Sequence, residues 1–90
     1  MELVRKLRID NELGLHARSA AKIVALAGQY KASLFLKKDE QEVEGSSILA
    51  ILTLACPRGT DLHARAVGED SEALLQALST LFEQKFGEGK

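Results

Sequence analysis

Tryptophan is absent from these 90 residues, and tyrosine, cysteine, proline and methionine occur once each. The lone cysteine, Cys56, excludes an intrachain disulfide and any CxxC metal or redox site. There are only two histidines, far apart and without a second local ligand pattern, so no structural metal is expected. Aromatic residues make up 4% and the formal net charge is −1. That balance offers neither the basic surface nor the stacking platforms of a nucleic-acid binder, and no general attraction to anionic membrane. No apolar run is long enough for a membrane span or a signal peptide, so a cytoplasmic location is expected. Low-complexity stretches and linkers are also missing. The length suits one core without staples, predicting a single domain over residues 1–90 with residues 87–90 as a frayed tail.

What is present is ordinary in bulk, 46% hydrophobic and 28% charged, but it is patterned. In "ELVRKLRID", Leu3, Leu7 and Ile9 face one way against Val4, Lys6, Arg8 and Asp10, which predicts a half-buried strand that Arg5 interrupts. The turn residues "NELG" follow. From Ala17 to Gln29 the period becomes helical, with Ala20, Ile23, Val24 and Ala27 as an apolar stripe and Gly28 near its end. "ASLFLKKDEQEVEG" reads as a hairpin, Leu34, Leu36 and Val43 facing the core and Lys37 to Glu40 at the tip. "GSSILAILTLAC" predicts a short helix capped by Ser46 or Ser47 and ended by "CPRGTD". In "TDLHARAVG", Leu62, Ala64 and Ala66 alternate with His63, Arg65 and Val67. The last stretch, "EDSEALLQALSTLFEQKF", predicts a helix capped by Asp70 or Ser71, its stripe being Leu74, Leu75, Leu78, Leu81 and Phe82, extended by Phe86. The order is strand, helix, strand, strand, helix, strand, helix. Such an α+β chain covers one sheet face with helices and leaves the other wet, with Arg8, Phe35, His63 and Arg65 on the wet side.

The tetrapeptide LHAR occurs twice, and both histidines lie inside it, as His16 and His63. The flanks separate the copies. His16 stands where a turn gives way to a helix, beside unpaired backbone N–H groups and the positive end of the helix dipole, a setting that suits phosphate. Arg18 adds a planar multi-donor cation, and Gly14 allows close approach or unusual torsions before the helix. Imidazole, with an unperturbed pKa of about 6.5, is a nucleophile near neutrality, and its phosphoramidate is reactive enough to pass the group on. A capping histidine that only tidies the helix end fits the local physics as well. His63 lies mid-strand with no helix behind it, and reads as a solvated residue that is not phosphorylated.

The longer strings decide between these. "GLHARSA" resembles the active-centre motif, usually GLHARPA, of the HPr family, the histidine-containing phosphocarrier proteins of the bacterial phosphoenolpyruvate-dependent phosphotransferase system. "EGSSILAILTL" resembles the family's second signature, a serine opening a short apolar helix. The resemblance spans nearly the whole chain. It implies an open-faced β-sandwich of order βαββαβα, a four-stranded antiparallel sheet with three helices on one face. It implies that His16 accepts phosphate on Nδ1 from phosphorylated enzyme I and passes it to enzyme IIA domains or equivalent acceptors in sugar uptake or its regulation, with Arg18 stabilising the phosphate. Such a protein is a stoichiometric carrier with a phosphohistidine intermediate rather than a turnover enzyme, acts as a monomer and needs no cofactor. Ser19 departs from the family's usual proline; altered rigidity and transfer rate are expected, and the helix start is left open.

By the same resemblance Ser47 falls on the regulatory serine that HPr kinase/phosphorylase modifies in many members, although on its residues alone it is equally an ordinary N-cap. Ala20, Ile48, Leu49 and Leu52 are the expected docking residues for enzyme I and the acceptors, ringed by Arg18, Lys22 and Arg58, while Ile51 and Leu54 go to the core. Ala55 replaces a residue that is often glycine. Cys56 reads as a small buried apolar residue. A nitrogen-type or carbon-control regulator acting through partner binding would carry the same residues, and the sequence does not separate it from a carrier in sugar transport.

Overall fold

Alternation along the strands sets the architecture. The computed structural model describes residues 1–88. Its strands are β1 (Glu2–Arg8), β2 (Ser33–Lys38), β3 (Gln41–Glu44) and β4 (Asp61–Val67), and its helices α1 (Ala17–Ala27), α2 (Ile48–Leu52) and α3 (Ser71–Glu83). The sheet order is β1-β4-β2-β3 and every pairing is antiparallel, with Leu7 opposite Leu62 and Leu36 opposite both Val43 and Ala64. That register stacks Leu7, Leu34, Leu36, Leu62, Ala64 and Ala66 on one face, where they join Ile23, Ile51, Leu74, Leu75 and Leu78 of the helices in a single core. Burying a large aliphatic side chain contributes about 1.5–3 kcal/mol.

The opposite face is wet, as the alternation requires. Phe35 is not stranded there: the Arg65 guanidinium lies 4.3 Å from its ring centroid, and pairs with Glu42 at 2.8 Å and Glu2 at 3.0 Å. The stacked cation shields the aromatic face and keeps its own hydrogen bonds.

Three expectations are corrected. Arg5 does not break the alternation of β1. It lies on the helix side with Leu3 and Leu7, and its guanidinium reaches Ser79 Oγ of α3 at 3.1 Å, its stem lying along apolar surface on the way. The last helix stops at Glu83 rather than running through Phe86. Lys85 and Phe86 take left-handed torsions, φ 53° and 56°, and the reversal folds the Phe86 ring back onto Phe82 at 4.9 Å. Third, Gly87 and Glu88, assigned to a frayed tail, are placed by a short 3-10 turn (Lys85–Gly87); the rest of that tail, residues 89–90, lies outside the described residues.

Of the candidate caps, Ser47 serves α2, its Oγ accepting the Ala50 amide at 3.2 Å. Ser47→Ala should therefore cost about 1 kcal/mol in urea denaturation, while Ala at the exposed neighbour Ser46 should cost nothing measurable. Asp70 precedes α3 without capping it. Its carboxylate instead accepts the amides of Lys31 and Ala32 at 2.9 and 2.7 Å, tying the start of β2 to α3. The Lys31 bond leads, and with that from Ala32 it outweighs desolvation and holds the Asp70 carboxyl below the usual carboxylate range.

Candidate functional site

The site begins with the turn between β1 and α1. Gly14 has φ +69°, and a Cβ there would meet the Cys56 carbonyl oxygen at 2.5 Å and Pro57 Cα at 2.9 Å. Only glycine allows this loop to lie against the segment that follows α2. The next amide, Leu15 N–H, donates to that same Cys56 oxygen at 2.8 Å. The segment after α2 is itself held by Lys38, whose ammonium donates to the Leu54 and Ala55 carbonyls at 3.0 and 2.8 Å. Ala55 has φ 53°, which accounts for glycine being common there; alanine carries roughly 1 kcal/mol of strain in that region. Cys56 is buried, and burial pushes its thiol upward with Lys38 only partly opposing, so it remains a protonated apolar filler.

His16 is the N-cap of α1, in extended backbone geometry. Its Nδ1 accepts the Arg18 amide N–H at 3.3 Å. Ser19 Oγ in turn accepts the His16 amide N–H at 2.9 Å, a reciprocal cap closed from both ends. The serine in place of the family's usual proline thus supplies a cap bond that proline cannot, and the helix start is Ala17. Because Nδ1 is an acceptor, the proton of the neutral ring lies on Nε2. Nε2–H donates to Glu88 Oε2 at 2.6 Å. Glu88 Oε1 accepts from Asn11 Nδ2 at 2.8 Å, and the same Asn11 amide group donates to Gly14 O at 2.8 Å. Burial pushes the Glu88 carboxyl up, but the Asn11 and His16 hydrogen bonds, with attraction to a protonated His16 and to Lys22, outweigh it and leave the group below the usual range.

The structure separates the expected site residues. His16 and Arg18 sit together at the start of α1, with the Arg18 guanidinium exposed and unpaired among the described residues. Ile48 and Leu49 of α2 are exposed, Leu49 at 78%, while Leu52 is half-buried against the core. Ala20 is corrected: it is fully buried at 0% as part of the core that Ile23 of the same helix joins, so it offers nothing to a partner. Lys22 does not ring the patch either; its ammonium donates to the Phe86 carbonyl. Sequence reasoning missed Asn11, Glu88 and the exposed Leu13 (70%). Asn11 read as turn chemistry and Glu88 as tail, and no periodicity could bring residue 88 to residue 16.

His63 lies on the wet face, opposite Lys6 of β1 and Lys37 of β2, lining a shallow hollow with Val4, Asp39 and Arg65. Among the described residues no group of His, Cys, Asp or Glu is arranged to hold a metal ion, and no helix is long and apolar enough to cross a membrane.

Residues 3–84 match the family described as "PTS HPr component phosphorylation site". The chain is 40% identical over 86 residues to the phosphocarrier protein HPr of Xylella fastidiosa (strain Temecula1), covering 96% of this chain and 97% of that one. It is 41% identical to the phosphocarrier protein HPr of Pseudomonas aeruginosa, covering 94% and 96%. The crystal structure of HPr from Thermoanaerobacter tengcongensis superposes with a TM-score of 0.91 at 36% identity, over 96% of this chain and 97% of that one.

Proposed function

The chain belongs to the HPr family of phosphocarrier proteins, and we propose that His16 is the residue on which it carries the phosphoryl group. Phosphocarriage within the phosphotransferase system is its function. The observation that carries the residue assignment is the placement of the His16 ring at the cap of α1: Nδ1 faces the Arg18 amide of the first turn at 3.3 Å while Nε2 lies 2.6 Å from Glu88 Oε2. In the transfer, the Nδ1 lone pair forms the new N–P bond as the bond from phosphorus to the donor breaks, its electron pair leaving with the donor. The phosphoryl oxygens then take over the amide N–H groups at the start of α1, and the free Arg18 guanidinium turns onto them as a multi-donor cation. The protein itself is consumed and regenerated, a carrier rather than a turnover enzyme.

The donor in this reading is phosphorylated enzyme I, the acceptors are enzyme IIA domains or their equivalents, and the relay is cytoplasmic. Partners dock on Ile48, Leu49 and the exposed edge of Leu52, with Leu13 as a further apolar contact and Arg18 and Arg58 at the rim. Ser47 is the candidate target for HPr kinase/phosphorylase. A phosphate there would place negative charge next to Leu49 and impede docking rather than unfold α2.

The deciding experiment incubates the protein with enzyme I and phosphoenolpyruvate. An acid-labile, base-stable label mapped to His16 is expected; an acid-stable label, or one on another residue, overturns the assignment. For the docking face, Leu49→Glu should raise the KM for phosphorylated enzyme I roughly tenfold or more with an unchanged melting curve. An unaltered KM would remove Leu49 from the interface.

A further inference from the structure

Glu88 is the least anticipated member of the site, and several independent contacts hold it there. Phe86 is 1% exposed and packs on Phe82. Lys22 of α1 anchors the Phe86 carbonyl. Two consecutive non-glycine residues, Lys85 and Phe86, occupy left-handed torsions, a conformation that persists only where surrounding contacts over-determine it. The product of this turn is a carboxylate whose side chain is 9% exposed and which has both oxygens engaged, one by Asn11 and one by His16. A tail that merely latched the fold would have no need to end on the reacting imidazole.

We propose that Glu88 is a positioning residue for phosphoryl transfer, its carboxylate retaining the Nε2 proton and balancing the positive charge that the ring acquires when Nδ1 binds phosphorus. The inference rests on the reading of His16 as the phosphoryl acceptor. Before transfer the neutral ring carries one proton, on Nε2, and one lone pair, on Nδ1, which accepts the Arg18 amide N–H until that amide turns to a phosphoryl oxygen. Forming the N–P bond uses that lone pair, and the bond from phosphorus to the donor breaks with its electrons going to the donor. No proton has to leave. The ring is then substituted at Nδ1 and protonated at Nε2, and so cationic, and Glu88 lies in hydrogen-bond contact with that proton. When the group is handed on, the N–P electrons return to Nδ1 and the starting state is restored. The carboxylate thus plays toward His16 the part that a buried aspartate plays toward the histidine of a hydrolytic triad, fixing the tautomer and stabilising the charged ring without taking the proton.

Two variants test it in the full chain. Glu88→Gln keeps the shape and an oxygen acceptor but removes the charge; Glu88→Ala removes both. Single-turnover transfer from phosphorylated enzyme I is measured against donor concentration, together with the Nε2–H proton resonance of His16. A charge-assisted hydrogen bond corresponds to roughly ten- to hundredfold in rate. The expectation is a fall of that size in the maximal rate constant for the alanine variant and a smaller fall for the glutamine variant. The concentration dependence should be unchanged, and the Nε2–H resonance, at low field in the parent, should move upfield in both. Wild-type rate constants in both variants, a loss confined to the concentration dependence, or an unmoved resonance overturns the proposal. These outcomes leave the label on His16. Loss of the acceptor assignment would instead show as label elsewhere in the parent protein, so the two failures are distinct.

Discussion

His16→Ala is expected to reduce acid-labile labelling by enzyme I and phosphoenolpyruvate to background, while His63→Ala keeps the parent rate within about twofold. The two histidines share their immediate neighbours in sequence, so the difference has to come from the backbone. At position 16 the ring caps a helix, with Nδ1 accepting the Arg18 amide of its first turn. At position 63 the ring projects from the middle of β4, between Lys6 and Lys37 on the adjoining strands. The strand amides there are committed to the ladder, so none are free to receive phosphoryl oxygens. Two flanking ammonium groups could attract an anion, but they do not align a nucleophile with it. Labelling of the His16→Ala protein at the parent level would sink the carrier assignment; a large loss in His63→Ala would show that the wet face takes part.

The second large effect is expected from Gly14→Ala. The substituted Cβ meets backbone atoms, the Cys56 oxygen at 2.5 Å and Pro57 Cα at 2.9 Å, and backbone cannot turn aside as a flexible side chain can. A strained torsion of this kind costs about 1–3 kcal/mol and overpacking a similar amount, so a loss of roughly 2–6 kcal/mol is expected in urea denaturation. The chemistry should suffer as well. Asn11 and Ser19 both donate to the Gly14 carbonyl, so a displaced loop moves the cap and the Glu88 anchor together. Gly59→Ala is the control. Its φ is +91°, but the nearest atom to the added Cβ is the end of the Arg8 side chain at 3.7 Å, leaving torsional strain without a clash. If Gly14→Ala costs no more than Gly59→Ala, the close packing of the two loops is not what fixes the site.

The legible part of this molecule was the part governed by local rules. Strand alternation placed Leu34, Leu36, Leu62, Ala64 and Ala66 inside, and helical spacing did the same for Ile23, Leu74, Leu75 and Leu78. The change of period at Ala17 located His16 at a helix start, and "GLHARSA" made the family recognisable. What escaped depends on contacts between residues remote in sequence. Ala20 looked available because it follows His16 closely, yet it packs into the core beside Ile23, a contact with the sheet and other helices that local spacing does not reveal. Arg5 looked like a fault in a strand pattern, but an edge strand beside a helix gives a long stem somewhere to go. Phe86 extended the apolar stripe correctly, while the torsions that swing it back have no sequence mark: Lys85 and Phe86 are residues that ordinarily avoid φ > 0.

The bonds around His16 differ greatly in span. Those that cap it join residues two or three apart, whereas those that bring in Glu88 cross 72 and 77 positions. Proteins open in cooperative units of unequal stability, and segments attached by a few contacts release at lower free energy than the core. The cap is therefore closed within α1 itself, whereas the carboxylate depends on the final turn, which Phe86 in the core and the Lys22 ammonium hold. The site thus has two tiers of durability. The capped ring rests on bonds local to α1, and the carboxylate beside it rests on a turn that long-range packing alone positions.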